Sequence, residues 1–334
     1  MEGDPNVGKK MAAVALFLGT FLIAIAAFSK FYMYDRLAVV PFNTETTSIA
    51  ATAPGADAEY LDIANGLKIT TGPLRSVQIV KGDVDLSKKA SKELDRDVAV
   101  WLTYSCTDVP SFDCASGKVP LSGTVDLVAF DRHTGETVDW KGSKSEADGE
   151  IISPAHFKGL YFKFPFDTQK KSYKFWEGTL QKPVDVKYVG EGKIEGLKVY
   201  NFEQKVDPIK TGTIDVPGDL VGSDEDTVTA DRIYSGVRKY SVEPVTGVIV
   251  VGGESQDSYL ELNGERVLTT TKASLEYTAE NTKDTVNEYK GKAQLLSIVK
   301  TTLPLGGAIA GVLLLAFGLI ARRGKSDDGA RHSG

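Results

Sequence analysis

Cysteine and histidine are scarce in this chain of 334 residues, which has two cysteines and three histidines. A structural zinc site takes four ligands at short spacing, and Cys106 and Cys114 have no such partners among the scattered His133, His156 and His332. No metal and no cofactor are therefore expected. Gly-x-Ser-x-Gly is absent, as are a Walker loop and a dinucleotide fingerprint. No basic tract is longer than a pair, as at Lys88–Lys89 and Lys170–Lys171, and the formal net charge is −6, so nucleic acid has no electrostatic footprint here. His133 falls in a turn and His156 in the loop SPAHFKG, where solvated polar residues are ordinary. Carboxylates are many but ungrouped. No catalytic residue is expected, although a carboxylate pair that meets only in three dimensions is invisible at this level. A repeat of fixed period is missing too, and so is a low-complexity linker.

Two long apolar runs stand out against this background. Residues 303–321 (LPLGGAIAGVLLLAFGLIA) carry no charge. At about 1.5 Å per residue, a helix of that length approaches the roughly 30 Å of a bilayer's hydrocarbon core. Arg322, Arg323 and Lys325 follow directly, as at a cytoplasmic exit. Upstream, 281–302 reads as an amphipathic helix whose Val286, Tyr289, Ala293, Leu296 and Val299 recur three or four apart. Pro304 and Gly306-Gly307 could bend the joint. The other run, 11–28, follows Lys9-Lys10 and reads as an uncleaved anchor, with a signal peptide cleaved near Ala24–Ala26 as the alternative. The charges place both termini in the cytoplasm (1–10 and 322–334) and export the segment between the spans, with 29–280 as its β-rich domain. Cys106 and Cys114, in SCTDVPSFDC, suit a short disulfide-closed loop in an oxidising compartment, two free thiols being the alternative.

Within the exported part, Phe31, Tyr32 and Tyr34 fit a membrane-surface belt, and 43–58 is Thr-rich, either strand or loop. From Ile63 onward the pattern is mainly β. Strands are expected at 74–80, 98–106, 125–130, 137–140, 160–164, 173–176, 184–189, 197–204, 227–234, 240–242, 248–252, 258–262 and 267–277. Val98, Val100, Leu102, Tyr104 and Cys106 share one face, and Ala99, Trp101, Thr103 and Ser105 the other. Residues 131–135 (DRHTG), 243–247 (EPVTG) and Asn263-Gly264 read as turns. A short helix is expected at 87–95 with Ser87 as its cap. One elongated antiparallel domain is favoured over two lobes joined near 208–222.

The most distinctive stretch, FKGLYFKFPFDTQKKSYKFW (157–176), holds eight aromatic residues among five lysines. As a lipid-contacting element it would use Tyr161, Phe164, Phe166, Tyr173 and Trp176 for apolar area, with Lys163 and Lys171 meeting anionic headgroups. The plainer reading is two half-buried strands with rings inward and lysines outward. Without catalytic groups, a tethered β-rich domain is suited to sheltering a lipid chain, because each CH₂ taken from water is worth about 0.8 kcal/mol. That reading requires a continuous apolar cavity or groove in the exported domain.

Arg36-Leu37-Ala38-Val39, the run Ala129 to Glu136 (AFDRHTGE), the run Gly159 to Phe166 (GLYFKFPF), the run Val242 to Val250 (VEPVTGVIV) and the C-terminal span together resemble an actinobacterial two-span membrane family known as the porin PorA family. The resemblance covers nearly the whole chain, and the family includes a protein implicated in lipomannan and lipoarabinomannan synthesis. It implies a cell-envelope role and a periplasmic domain related to tubular lipid-binding folds. It brings no catalytic residues. Where the family often has Arg-Arg before Thr-Gly, this chain has Arg132-His133. The implied partner is a membrane lipid or glycolipid. A scaffold that contacts envelope glycosyltransferases is the alternative, and an envelope hydrolase or transferase with converging carboxylates a third.

Overall fold

The computed structural model describes residues 5–62, 66–147 and 149–323. Most of the two expected cytoplasmic segments, with Lys325, His332 and Ile63, lies outside them. The chain forms two compact units: Met1–Val39 with Gly291–Gly334, and Val40–Lys290.

The first unit is helical. Helix α1 (Pro5–Phe28) runs into a π-helical turn (Ser29–Met33) and a short α2 (Tyr34–Leu37). The returning chain supplies a π-helical turn (Ile298–Thr302) and α5 (Leu303–Arg323). Both long helices are apolar enough to cross a membrane. Between two helices in lipid there is little hydrophobic driving force, so association depends on close backbone approach. Here glycine provides it. A Cβ added at Gly19 would lie 2.8 Å from the Gly311 carbonyl oxygen, and one at Gly311 2.7 Å from that of Gly19. Gly307 meets Ala26, and Gly318 meets Leu16, so the helices run antiparallel. Ala12, Ala15 and Ala26 are buried on the same seam. The Ser29 hydroxyl donates to the Val299 carbonyl at 2.7 Å, tying the two π-helical turns together. The first apolar run is thus built into a helix pair.

The second unit is a body made from one antiparallel sheet of 14 strands, curled into a half-barrel. Its strands are β1 (Glu45–Ala51), β2 (Ala58–Asp62), β3 (Lys68–Gly72), β4 (Arg75–Gly82), β5 (Val98–Asp108), β6 (Ser122–Asp131), β7 (Lys144–Ala147) and β8 (Glu150–Ile152). They continue with β9 (Tyr173–Glu177), β10 (Lys182–Ile194), β11 (Leu197–Pro217), β12 (Thr227–Val242), β13 (Ile249–Leu262) and β14 (Glu265–Tyr277). The order across the sheet is β8-β7-β6-β5-β4-β1-β14-β13-β12-β11-β10-β9, with the β2–β3 hairpin attached to β14. Single-residue bridges Phe130–Thr137, Glu136–Leu160 and Leu160–Phe175 carry pairing from β6 over to β9.

The outer face of β5 takes Val98 and Val100, which helix α3 (Val84–Leu94) covers with Ala90, Leu86 and Leu94. Asp83, not Ser87, caps that helix, its carboxylate accepting from the Leu86 N–H at 2.8 Å. Ser87 lies inside the helix, accepting from the Val100 N–H, because the helix starts earlier than its polar run suggests. The inner face takes Ala99, Trp101 and Thr103.

Turn chemistry is legible. The Asp131 carboxylate accepts from the His133 and Thr134 N–H groups before Gly135 at φ 75°. The Glu243 carboxylate does the same for Val245 and Thr246. Asn263 and Gly264 both sit at positive φ, so the β13–β14 hairpin closes in two residues. Two expected strands fail. Residues 137–140 make one bridge only, and 160–164 are irregular apart from Leu160, because both lie in the gap between β6 and β9 rather than beside a free edge. The expected pieces 227–234 and 240–242 are one strand, as are 248–252 and 258–262. The Thr-rich segment resolves into strand β1 and a turn, and the sheet passes unbroken through 208–217, so no second lobe forms there. In α4 (Ala279–Ser297) and the turn after it, Val286, Ala293, Leu296 and Val299 are all buried.

Candidate functional site

One part of the half-barrel's inner face is filled. The segment 153–172 crosses it and packs rings into it. Phe164 is 0% exposed and meets Phe202, Phe175, Tyr173 and Tyr240. Phe162 packs on Trp101 and Phe130, and Phe157 on Tyr161 and Trp176. Phe164, Tyr161, Tyr173 and Trp176 are among the residues that the sequence offered as lipid contacts, with Phe166, Lys163 and Lys171. Phe164 and Trp176 are buried in the protein's own core, and Tyr161, Phe166 and Tyr173 are half-buried against it. Lys163 curls over the Phe166 ring at 3.8 Å with its Nζ buried and without a hydrogen-bond partner, and burial pulls its ammonium down to about 7 against the attraction of Glu243. Lys171 is exposed, 5.3 Å from the Tyr173 ring centre. Cys106 and Cys114 are joined by a disulfide, and the Tyr104 hydroxyl donates to the Cys114 carbonyl at 3.1 Å.

Next to the filled part lies a partly buried ionic cluster that sequence reasoning missed. Arg238 Nη2 is 3.0 Å from Glu177 Oε1 and 3.0 Å from Glu254 Oε1. Tyr234 donates to the same two carboxylates at 3.2 and 3.4 Å, and the Leu180 N–H donates to Glu177 at 2.6 Å. Burial works against the Arg238 charge, but Glu254, Tyr240 and Glu177 outweigh it and hold the guanidinium well above its ordinary value. Gly236 makes room for this arrangement, since a Cβ there would meet the Tyr234 hydroxyl at 2.7 Å. On the facing strands, Asp126 accepts from Ser145 at 2.6 Å and from the Tyr161 hydroxyl. Burial raises the Asp126 carboxyl, opposed by those two hydrogen bonds, and burial beside Asp126 raises the Tyr161 phenol well above its usual range.

Beyond the cluster the same inner face carries half-buried polar residues, Ser48, Ser76, Gln78, Ser105, Thr107, Thr124, Gln256 and Ser258, beside the apolar Ala273 and Leu275 of β14. Neighbouring hydroxyls pair across strands, Ser105 with Thr124 at 2.6 Å and Thr107 with Ser76 at 2.8 Å. This wall is built for hydrogen bonding. The continuous apolar trough expected from the sequence does not run along it.

Reactive arrangements are few. His156 pairs with Asp139 at 2.8 Å and His133 with Asp97 at 3.4 Å, all four residues being exposed at the surface. Glu177 and Glu254 converge on the Arg238 guanidinium, which lies 3.0 Å from each. Among the described residues no group of three or more His, Cys, Asp or Glu could hold a metal ion.

A glycine-seamed pair of membrane-length helices carrying a curled β-body defines a β-rich membrane protein. The family described as Porin PorA matches residues 11–320, and the chain belongs to that family. It is similar to the Porin PorA of Corynebacterium amycolatum, at 24% identity over 367 aligned positions that cover 91% of this chain and 94% of the relative. The Porin PorA of Corynebacterium resistens is 29% identical over 136 positions, covering 37% of this chain and 33% of the relative.

Proposed function

We propose that this chain is a non-enzymatic binding protein of the cell envelope, anchored by both helices in the cytoplasmic membrane. Both termini are cytoplasmic and the body is periplasmic. Its inner face receives a lipid or lipoglycan precursor and so supports lipomannan and lipoarabinomannan assembly. The observation that carries this reading is the half-exposed inner wall left open beside a filled one, on a chain with two membrane-length helices. The charges flanking the spans, Lys9 and Lys10 before one and Arg322 and Arg323 after the other, favour the orientation. The disulfide favours an oxidising compartment.

The family's name speaks of pores, and a pore made from this sheet would need an apolar band facing lipid. The outer face instead carries Lys187, Glu203 and Lys239 in one row across β10, β11 and β12, continued past Gly253 of β13 to Glu276 of β14. A lysine on the lipid face of a barrel costs about 2–4 kcal/mol at the bilayer midplane, which favours a body in water over one in lipid. A scaffold that holds glycosyltransferases by its surface is the second reading, favoured by the exposed apolar residues Ile79 and Leu102 on the outer face.

Native mass spectrometry of the full-length chain, extracted in mild detergent, tests the first reading. A retained envelope lipid or glycolipid is expected. Repeated ligand-free spectra, together with crosslinks from the outer face to one glycosyltransferase, would shift the case to the scaffold.

A further inference from the structure

We propose that the open part of the inner face is a saccharide site, taking the neutral sugar portion of a ligand rather than its acyl chains. This rests on the reading that the body binds an envelope glycolipid, and it names which end of that molecule the protein recognises.

Ser76, Gln78, Ser105, Thr124 and Gln256 are half-buried on one wall, contributed by four strands that the sheet order brings round the same curve. Each hydroxyl can donate once and accept twice, and each amide both donates and accepts. The Ser105–Thr124 bond at 2.6 Å, the bond Thr107 donates to Ser76 at 2.8 Å and the bond Gln256 donates to Ser258 at 2.8 Å use only part of that capacity. Thr103, 1% exposed on the same face, keeps its Oγ1 without a hydrogen-bond partner. Sugar hydroxyls have the same dual character and would meet these groups with hydrogen bonds in place of water. An acyl chain would strip water from them and return nothing, at about 1–3 kcal/mol for each group left unsatisfied.

Charge narrows the class further. Glu177 and Glu254 share a single guanidinium, Arg238, and Asp126 is met by the Ser145 and Tyr161 hydroxyls, so this part of the inner face carries more carboxylate than cation. A phosphate or sulfate group is repelled there, whereas a neutral hexose is not.

The test uses the full-length chain in phosphatidylcholine nanodiscs. Calorimetric titration with maltotriose, cellotriose and α-mannotriose runs beside a transfer assay with a dansyl-labelled phospholipid. At least one trisaccharide is expected to bind. Q78A/S105A, checked for fold by circular dichroism, should weaken that binding at least tenfold, and K187A on the outer face should leave it unchanged. Phospholipid uptake with no trisaccharide binding overturns the saccharide site and leaves the broader lipid-binding reading standing. Silence in both assays overturns both. Trisaccharide binding that Q78A/S105A does not weaken removes the assignment to this wall.

Discussion

The filled and open parts of the inner face belong to one sheet, yet they obey different rules. The filled part is made of rings from 153–172 locked against Phe202, Trp101 and Phe130, where nearly every contact is apolar. The open part is made of small hydroxyls and amides that remain half-wet. The most conspicuous stretch of the sequence is thus packed into the core, and the half-buried wall is made of its least conspicuous residues. Aromatic density alone marks a core as readily as a ligand site.

That contrast can be broken at its strong end. Phe164→Ala removes a fully buried ring and should cost about 3–5 kcal/mol, read by denaturant unfolding followed through tryptophan fluorescence. Arg238→Met leaves Glu177 and Glu254 facing each other without a cation and should cost a comparable amount, about 3–5 kcal/mol. In R238M, replacing Glu177 with Gln should recover part of the loss. A ligand-lining rather than structural role for Phe164 would show instead as unchanged stability with altered binding.

Smaller effects sharpen the comparison. Opening the disulfide with Cys106→Ser and Cys114→Ser releases a short loop, for a loss of roughly 2–3 kcal/mol in the same unfolding assay. Lys163 gives a pH signature. Its folded-state value is near 7 and its unfolded value is ordinary, so between about pH 7 and pH 10 the unfolded chain binds more protons. Stability from this site therefore rises with pH across that window, and the cost of burying the charge is full below pH 7. Lys163→Met should flatten the rise and stabilise the protein at pH 6 by about 1–3 kcal/mol. At the weak end, Ser105→Ala in the open wall should change stability by less than about 0.5 kcal/mol, because no buried packing depends on it.

Legibility in the sequence followed locality. The helical stripe Val286, Ala293, Leu296 and Val299 was readable because its period is intrinsic to the helix, and the Asn263-Gly264 hairpin because its backbone needs those two residues. The alternation of Val98 to Cys106 correctly separated the face under α3 from the face carrying Trp101 and Thr103. Residues 160–164 alternate just as well but have no strand beside them over their length, since pairing is a tertiary event. The open wall was hidden for a related reason. Gln78, Ser105 and Gln256 come from separate strands, and each alone looks like an ordinary solvent-facing residue. In the Glu177–Arg238–Glu254 cluster, Arg238 and Glu254 are paired across the β12–β13 hairpin, but Glu177 comes from β9, three strands away from β12, and that meeting was out of reach.

Amide hydrogen exchange on the full-length chain in nanodiscs, with and without saturating trisaccharide, tests the division of labour most directly. Added protection on β4, β5 and β13 with no change across 153–172 is the expected result. Protection confined to 157–176 would contradict it, returning the site to the aromatic stretch.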